Sequence, residues 1–231
     1  MNSLPEVPVY RVNPADSLIT IDGRLDDPAW EKAEVIELVE CATGGRPRHR
    51  TEVRLLYDER RLYVGYHCED PEIWGTMTGH DDPIYQEEVV EIFLDPTGNL
   101  CCYYELEVSP LNTSFDALIL NDAVVCGSPG RGEKFQGFTA WDPKGFQHAV
   151  FVKGEVGTRG QQKSECWECE MALSFDDLFL GSNVPPRPGD QWRANIFRID
   201  IEGERLEETA FSPTGQSDFH VPARFGWLRF C

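Results

Sequence analysis

Positive charge is scarce in this sequence. Lysine and arginine together number 21 against 40 aspartates and glutamates in 231 residues, for a net charge of −19. A chain this acidic repels a phosphate backbone instead of releasing its counterions, which argues against nucleic acid and anionic membranes as partners. Neutral sugars, or cations such as calcium, suit such a surface better. Long apolar runs are also missing, and nothing approaches the roughly 20 apolar residues of a membrane span. The opening MNSLPEVPVYRV has neither the basic nor the apolar segment of a secretory leader, so the cytoplasm is the expected location by default.

The usual handles of enzymes are absent too. There is no Gly-x-Ser-x-Gly elbow, no His-Glu-x-x-His, no phosphate loop and no Gly-rich dinucleotide fingerprint. Acids are so numerous that a pair suited to glycoside hydrolysis carries no information without geometry, and no catalytic residue is nominated. Of the eight cysteines, Cys101 and Cys102 are adjacent and Cys231 is terminal, with no small-domain disulfide spacing, so reduced thiols are expected. The one CxxC, Cys166 to Cys169, falls in a strand-like run that would turn its two thiols to opposite faces, which argues against zinc or redox use.

What the sequence does hold is strand signal. SLITIDG, TEVRLLYD, RLYVGYHCED, VVEIFLDP, CYYELEVSP, HAVFVKGEV, ECWECEMALSF, WRANIFRIDIEG and FGWLRF are short, rich in β-branched and aromatic residues, and bounded by Gly, Pro, Asn or Asp. Val53, Leu55 and Tyr57 alternate with Glu52, Arg54 and Leu56, so one face of that strand packs on a core and the other looks outward. The DERR between residues 57 and 62 reads as a hairpin connection. Helix is expected only as connectors, at Asp27 to Lys32 with Pro28 in first position, and in SFDDLFLG with Ser174 as cap and Gly181 as stop. The stretch from Asn121 to Gly145 reads as an exposed, functional loop. The predicted fold is all-β, an antiparallel two-sheet β-sandwich of the jelly-roll or immunoglobulin-like kind. It forms one domain over residues 1–231, with residues 1–17 as an N-terminal strap.

Five segments read in order, ITIDGRLDDPAW, VRLLYDERRLYVGYHCEDP, EEVVEIFLDP, PGDQWRANIFRID and SPTGQSDFHVPARFGWLRF, resemble the family 9 carbohydrate-binding modules, a branch of the DOMON-like β-sandwiches. The resemblance implies a non-catalytic module that holds the end of a glycan, a mono- or oligosaccharide, between two aromatic rings. It places the first ring six residues before the glutamate of VEIF, at Tyr85, and the second at Phe219 in SDFHVPARFG. Members usually carry tryptophan at both places, so these smaller platforms imply weaker, millimolar binding. Glu91 stands at the family's sugar-binding glutamate, and Glu107 stands where the family has an arginine, a reversal of charge. The resemblance further points to Asn195 as a ligand contact, with Trp74 and His220 as additional candidates. Arg198 is either a contact or the partner of carboxylates within the sandwich. Trp30 is read as a buried plug and Trp227 as core.

The family's structural calcium suggests the oxygen-rich turns at Glu69, Asp70, Asp95 and Asn99 as ligands, although no EF-hand spacing is present. Two other classes stay open. Related sandwiches bind haem for electron transfer through axial Met and His, for which Met77, Met171, His67 and His80 are the available residues. Alternatively, the domain is an interaction scaffold whose sugar site has decayed, as the reversed charge and reduced aromatic walls would allow.

Overall fold

The computed structural model describes residues 5–161 and 163–231. Its strands are β1 (Val9–Pro14), β2 (Ile36–Glu37), β3 (Val39–Glu40), β4 (Thr51–Tyr57), β5 (Arg61–Glu69), β6 (Val89–Asp95), β7 (Cys102–Val108), β8 (Ser114–Leu120), β9 (Gln136–Phe138), β10 (Gln147–Lys153), β11 (Cys166–Ser174), β12 (Gln191–Glu202), β13 (Arg205–Ala210) and β14 (Gly226–Phe230). Helix among these residues is confined to one turn, α1 (Ala123–Cys126), and four 3-10 turns. The all-β prediction holds. The 3-10 turns at Pro28–Lys32 and Phe175–Asp177 fall where connectors were expected, and Ser174 accepts a hydrogen bond from the Asp176 amide.

One layer runs β14-β12-β6-β7-β8-β9, with β13 and β3 continuing from β12, and the other runs β10-β11-β5-β4 with β2 beside β4. Period-two alternation fills the space between them. Val53, Leu55, Leu62, Val64 and Tyr66 from one layer meet Val90, Ile92, Leu94, Leu106 and Ile196 from the other, together with Trp167, Trp192 and Phe230. Burying each such side chain stabilises the fold by about 1.5–3 kcal/mol, which makes this seam the main source of stability.

Within the strap expected at residues 1–17, Val9–Pro14 form a strand. Val9 to Val12 run parallel to Trp227 to Phe230 of the first layer, and Asn13 and Pro14 continue parallel to Leu56 and Tyr57 of the second. Residues 1–4 lie outside the described segment. SLITIDG, by contrast, is not a strand. The amide of Thr20 donates to the Asp27 carboxylate and those of Asp22 and Gly23 donate to Glu170, so three of its donors are used by side chains instead of a ladder. Besides the short β2, β3 and β9, two longer strands were missed, β8 (SFDALIL) and β13 (RLEETA). The second is masked by its charged residues but turns back on β12 through Gly203 at φ 59°.

Trp30 is a buried plug, as predicted, and its Nε1 donates to Glu170 Oε1 over 2.9 Å. Trp227 is a correction. It is only partly buried, under the Arg193 guanidinium at 4.6 Å from the ring centre. All eight cysteines are free.

Nothing in the fold supports the haem reading. Met171 is sealed in the seam between the layers, while His67 lies on the outer face of the same sheet, held by Glu168 at 2.9 Å. Met77 packs on the apolar cluster of the first layer, and His80 is bound at the surface to Ser114.

Candidate functional site

The outer face of the β12-β6-β7-β8 sheet also carries many large apolar side chains. Phe197, Ile199 and Ile201 from β12, Val89 and Phe93 from β6, Tyr103 from β7, and Phe115, Ala117 and Ile119 from β8 form a second apolar cluster there with Phe219 and Phe225. A sheet face this apolar must be covered. Loops around residues 73–88, 121–139 and 211–225 do so at its margins and leave between them an open cleft of about 640 Å³. Tyr85, Glu91, Phe93, Glu105, Phe115, Arg131, Phe135, Glu208, Asp218, Phe219 and His220 are among the residues lining it.

Tyr85 sits on the 3-10 turn Ile84–Gln86, which is anchored by the fully buried Ile84 and by Glu87, whose carboxylate accepts from the Thr76 amide at 2.8 Å. Its ring is 44% exposed and meets Phe115 edge-on at 5.5 Å. Phe219 is a different kind of wall. It lies flat on Phe197, with 4.1 Å between ring centres and 6° between planes, and only 8% of it is exposed. The cleft therefore has one free aromatic ring at its lip and one seated in its side.

His220 is placed by a relay. Asn121 Nδ2 donates to the Tyr103 hydroxyl at 3.3 Å, and that hydroxyl lies 2.8 Å from His220 Nδ1. The hydroxyl therefore gives its proton to Nδ1, and the imidazole presents Nε2–H toward Glu105 Oε1, 3.8 Å away. Burial pushes the imidazole pKa down to about 3, so the ring is a neutral donor. Arg131 stands at the rim, half-exposed, 3.5 Å from Asp218 and 4.7 Å above the Phe135 ring.

Beneath the aromatic lining lies an acidic floor. Glu91 is paired across strands with Glu107, and Glu105 with Phe93, so strand alternation turns Glu91, Glu105 and Glu107 onto one face. One oxygen from each lies within 4.8 Å of the other two, and all three side chains are buried. Desolvation raises all three pKa values, reinforced for Glu91 and Glu107 by neighbouring carboxylates; Glu105 is pushed up to about 7.

The remaining predicted contacts lie away from the cleft. Asn195 is fully buried, donating to the Ser212 carbonyl and accepting from the Ser212 and Ile196 amides, so it pins the 211–214 segment and has no atom left for a ligand. Trp74 donates from Nε1 to the Ile201 carbonyl at 2.9 Å and is covered. Arg198 points into the seam, where it bridges Asp70 at 2.9 Å and Asp200 at 3.2 Å, the second of its two expected roles. Glu107 lies under the cleft without lining it.

Of the turns offered for calcium, Asp95 uses both carboxylate oxygens on the Thr97, Gly98 and Leu100 amides, and Asn99 accepts from Cys101 and Cys102. Glu69 caps the Arg50 amide, and Asp70 is held by Arg198. These oxygens serve the turns themselves. Sequence reasoning missed Glu105, although the alternation in YYELEV puts it on the face of Glu107. It also missed Arg131 and Phe135, which no periodicity could single out in a loop.

Residues 21–124 match the family described as carbohydrate family 9 binding domain-like. Among curated proteins, the chain is 24% identical over 209 residues to an extracellular protein of Arthroderma benhamiae, covering 85% of each. It is also 35% identical over 86 residues to endo-1,4-beta-xylanase A of Thermotoga neapolitana, covering 37% of this chain but only 8% of that enzyme. Among solved structures, a family 9 carbohydrate-binding module of Caldicellulosiruptor kristjanssonii in complex with cellotriose superposes with a TM-score of 0.65 at 16% identity, covering 96% of this chain and 93% of that one. A protein of Bacteroides uniformis does so with a TM-score of 0.73 at 17% identity, covering 98% and 100%. These structures share the fold.

Proposed function

We propose that this chain, whose residues 21–124 match the family described as carbohydrate family 9 binding domain-like, binds sugars without cleaving them, holding a glycan end in the cleft on the outer face of the β12-β6-β7-β8 sheet. The observation that carries this reading is the partly exposed Tyr85 ring standing at a cleft whose depth supplies hydrogen-bonding groups. A pyranose has apolar C–H faces and a rim of hydroxyls, and the cleft matches both. Tyr85, Phe115 and Phe219 offer aromatic surface, Glu91, Glu105, Glu208 and Asp218 accept, and Arg131 and neutral His220 donate. The C. kristjanssonii module of the same fold is seen in complexes with cellotriose and with glucose, which makes β-glucans the first ligands to try.

Isothermal titration with glucose, cellobiose and cellotriose tests the proposal. Binding in the millimolar range, about −4 kcal/mol, is expected, because only one of the two rings is free to stack. Tyr85→Ala weakens it about tenfold and leaves the melting temperature in place, since its ring is largely outside the core. No heat with any of these sugars, or equal affinity in the Tyr85→Ala protein, overturns the reading.

A further inference from the structure

The acidic floor of the cleft lacks something that its chemistry requires. Oε1 of Glu91 is buried without a hydrogen-bond partner among the described residues, and the Glu107 oxygens meet only the Glu105 carboxyl, which has no proton to give once both are ionised. Glu107 is 0% exposed and Glu91 1% exposed, so water does not reach them from the surface either. A buried carboxylate normally accepts from several donors or faces a cation, and an unpaired one is costly to desolvate. The nearby basic groups do not fill the role. Arg131 is engaged with Asp218 at the rim, and His220 is a neutral ring whose Nε2 is 3.8 Å from Glu105. Glu208 also lines the cleft and adds to the negative potential around Glu91.

We propose that Glu91, Glu105 and Glu107 form a site for a hard divalent cation, calcium before magnesium, entered from the cleft. Three carboxylates offer up to six oxygens, the donor type that calcium takes. Two oxygens on one calcium at about 2.4 Å each lie no more than about 4.8 Å apart, and one oxygen from each carboxylate meets that limit with respect to the other two. Magnesium requires a near-ideal octahedron at about 2.0–2.1 Å, a stricter demand on three carboxylates fixed to two neighbouring strands than calcium's flexible coordination. Glu91 and Glu105 line the cleft while Glu107 closes the underside, so the ion is approached from the cleft past Glu91 and Glu105. The unpartnered Glu91 Oε1 and a Glu107 that meets only another acid, both buried in one cluster, separate it from the surface acids, which end in solvent.

The test uses the full chain stripped with chelator and titrated with calcium chloride in the absence of sugar, followed by calorimetry and thermal melting. One-site binding is expected, with the melting temperature rising by about 5 °C or more at calcium a hundredfold above Kd. Glu107→Gln lowers calcium affinity at least tenfold, Glu105→Gln provides the second variant should the first fail to fold, and the exposed Glu165→Gln leaves it unchanged. Crystals grown with terbium are expected to show the anomalous peak among the three carboxylates. Absence of a calcium-dependent melting shift, an unaltered shift in both floor variants, or a peak elsewhere overturns the proposal. Because no sugar is present, these outcomes are separate from success or failure of sugar binding.

Discussion

Two groups of three acids in this molecule are equally tight and equally buried, yet their electrostatics are opposite. Asp70, Glu88 and Asp200 place one oxygen each within 4.8 Å of one another, as do Glu91, Glu105 and Glu107. The first group surrounds a guanidinium. Arg198 joins Asp70 to Asp200, Arg48 reaches the other oxygen of Asp200 at 3.2 Å, and the Glu72 amide donates to Asp70. The second group has no such cation. Glu170, buried on the outer face of the opposite sheet, makes the same contrast at a single residue, since it accepts from two amides and the Trp30 indole where Glu107 meets only the Glu105 carboxyl. The aspartates of the first group arrive with their donors, Glu88 Oε1 being left without one, whereas no cation stands among the acids of the second.

The comparison breaks most visibly at Arg198. Arg198→Ala leaves two aspartates buried without their cation, and chemical denaturation is expected to show a loss of about 3–5 kcal/mol. Next comes Glu88, the third acid of that group, whose pKa burial pushes up to about 10. With its ordinary value near 4.5 in the unfolded chain, the folded state holds this proton more tightly. The penalty is absent below about pH 4.5 and grows as pH rises toward 10. Glu88→Gln is therefore neutral at pH 4 and stabilising on the order of 2 kcal/mol or more at pH 8, measured by denaturation at both values. An equal effect at the two pH values would sink that account. The smallest pair sharpens the contrast directly. Glu170→Gln costs about 2 kcal/mol by turning a donor toward donors, whereas Glu107→Gln, measured in chelator at pH 8, gains about 1 kcal/mol by removing a carboxyl that burial forces to hold its proton.

How much of this was legible in the sequence depends on how local each cause is. Alternation in TEVRLLY and VVEIFLD sufficed for the strands and for the face each residue takes, because a strand's period is built into its backbone. Placing Tyr85, Glu91, Phe219 and His220 together required the family resemblance, since they lie on separate elements, and all four line the cleft. Asn195 and Trp74 were misread because their partners, the Ser212 backbone and the Ile201 carbonyl, are set by tertiary packing that no spacing reveals. SLITIDG has every local mark of a strand and failed for the same reason, three of its amides being claimed by Asp27 and by Glu170, 148 residues away from Asp22.

Strand β1 carries a consequence for how the molecule comes apart. It hydrogen-bonds first to one layer and then to the other, with the Cys231 amide donating to the Val12 carbonyl and the Ala15 amide to the Tyr57 carbonyl. Neither layer can peel away while this single peptide is stitched to both, so loosening one drags on its neighbour and opening is all-or-none. A binding surface carried on one layer is thereby held to shape by the other.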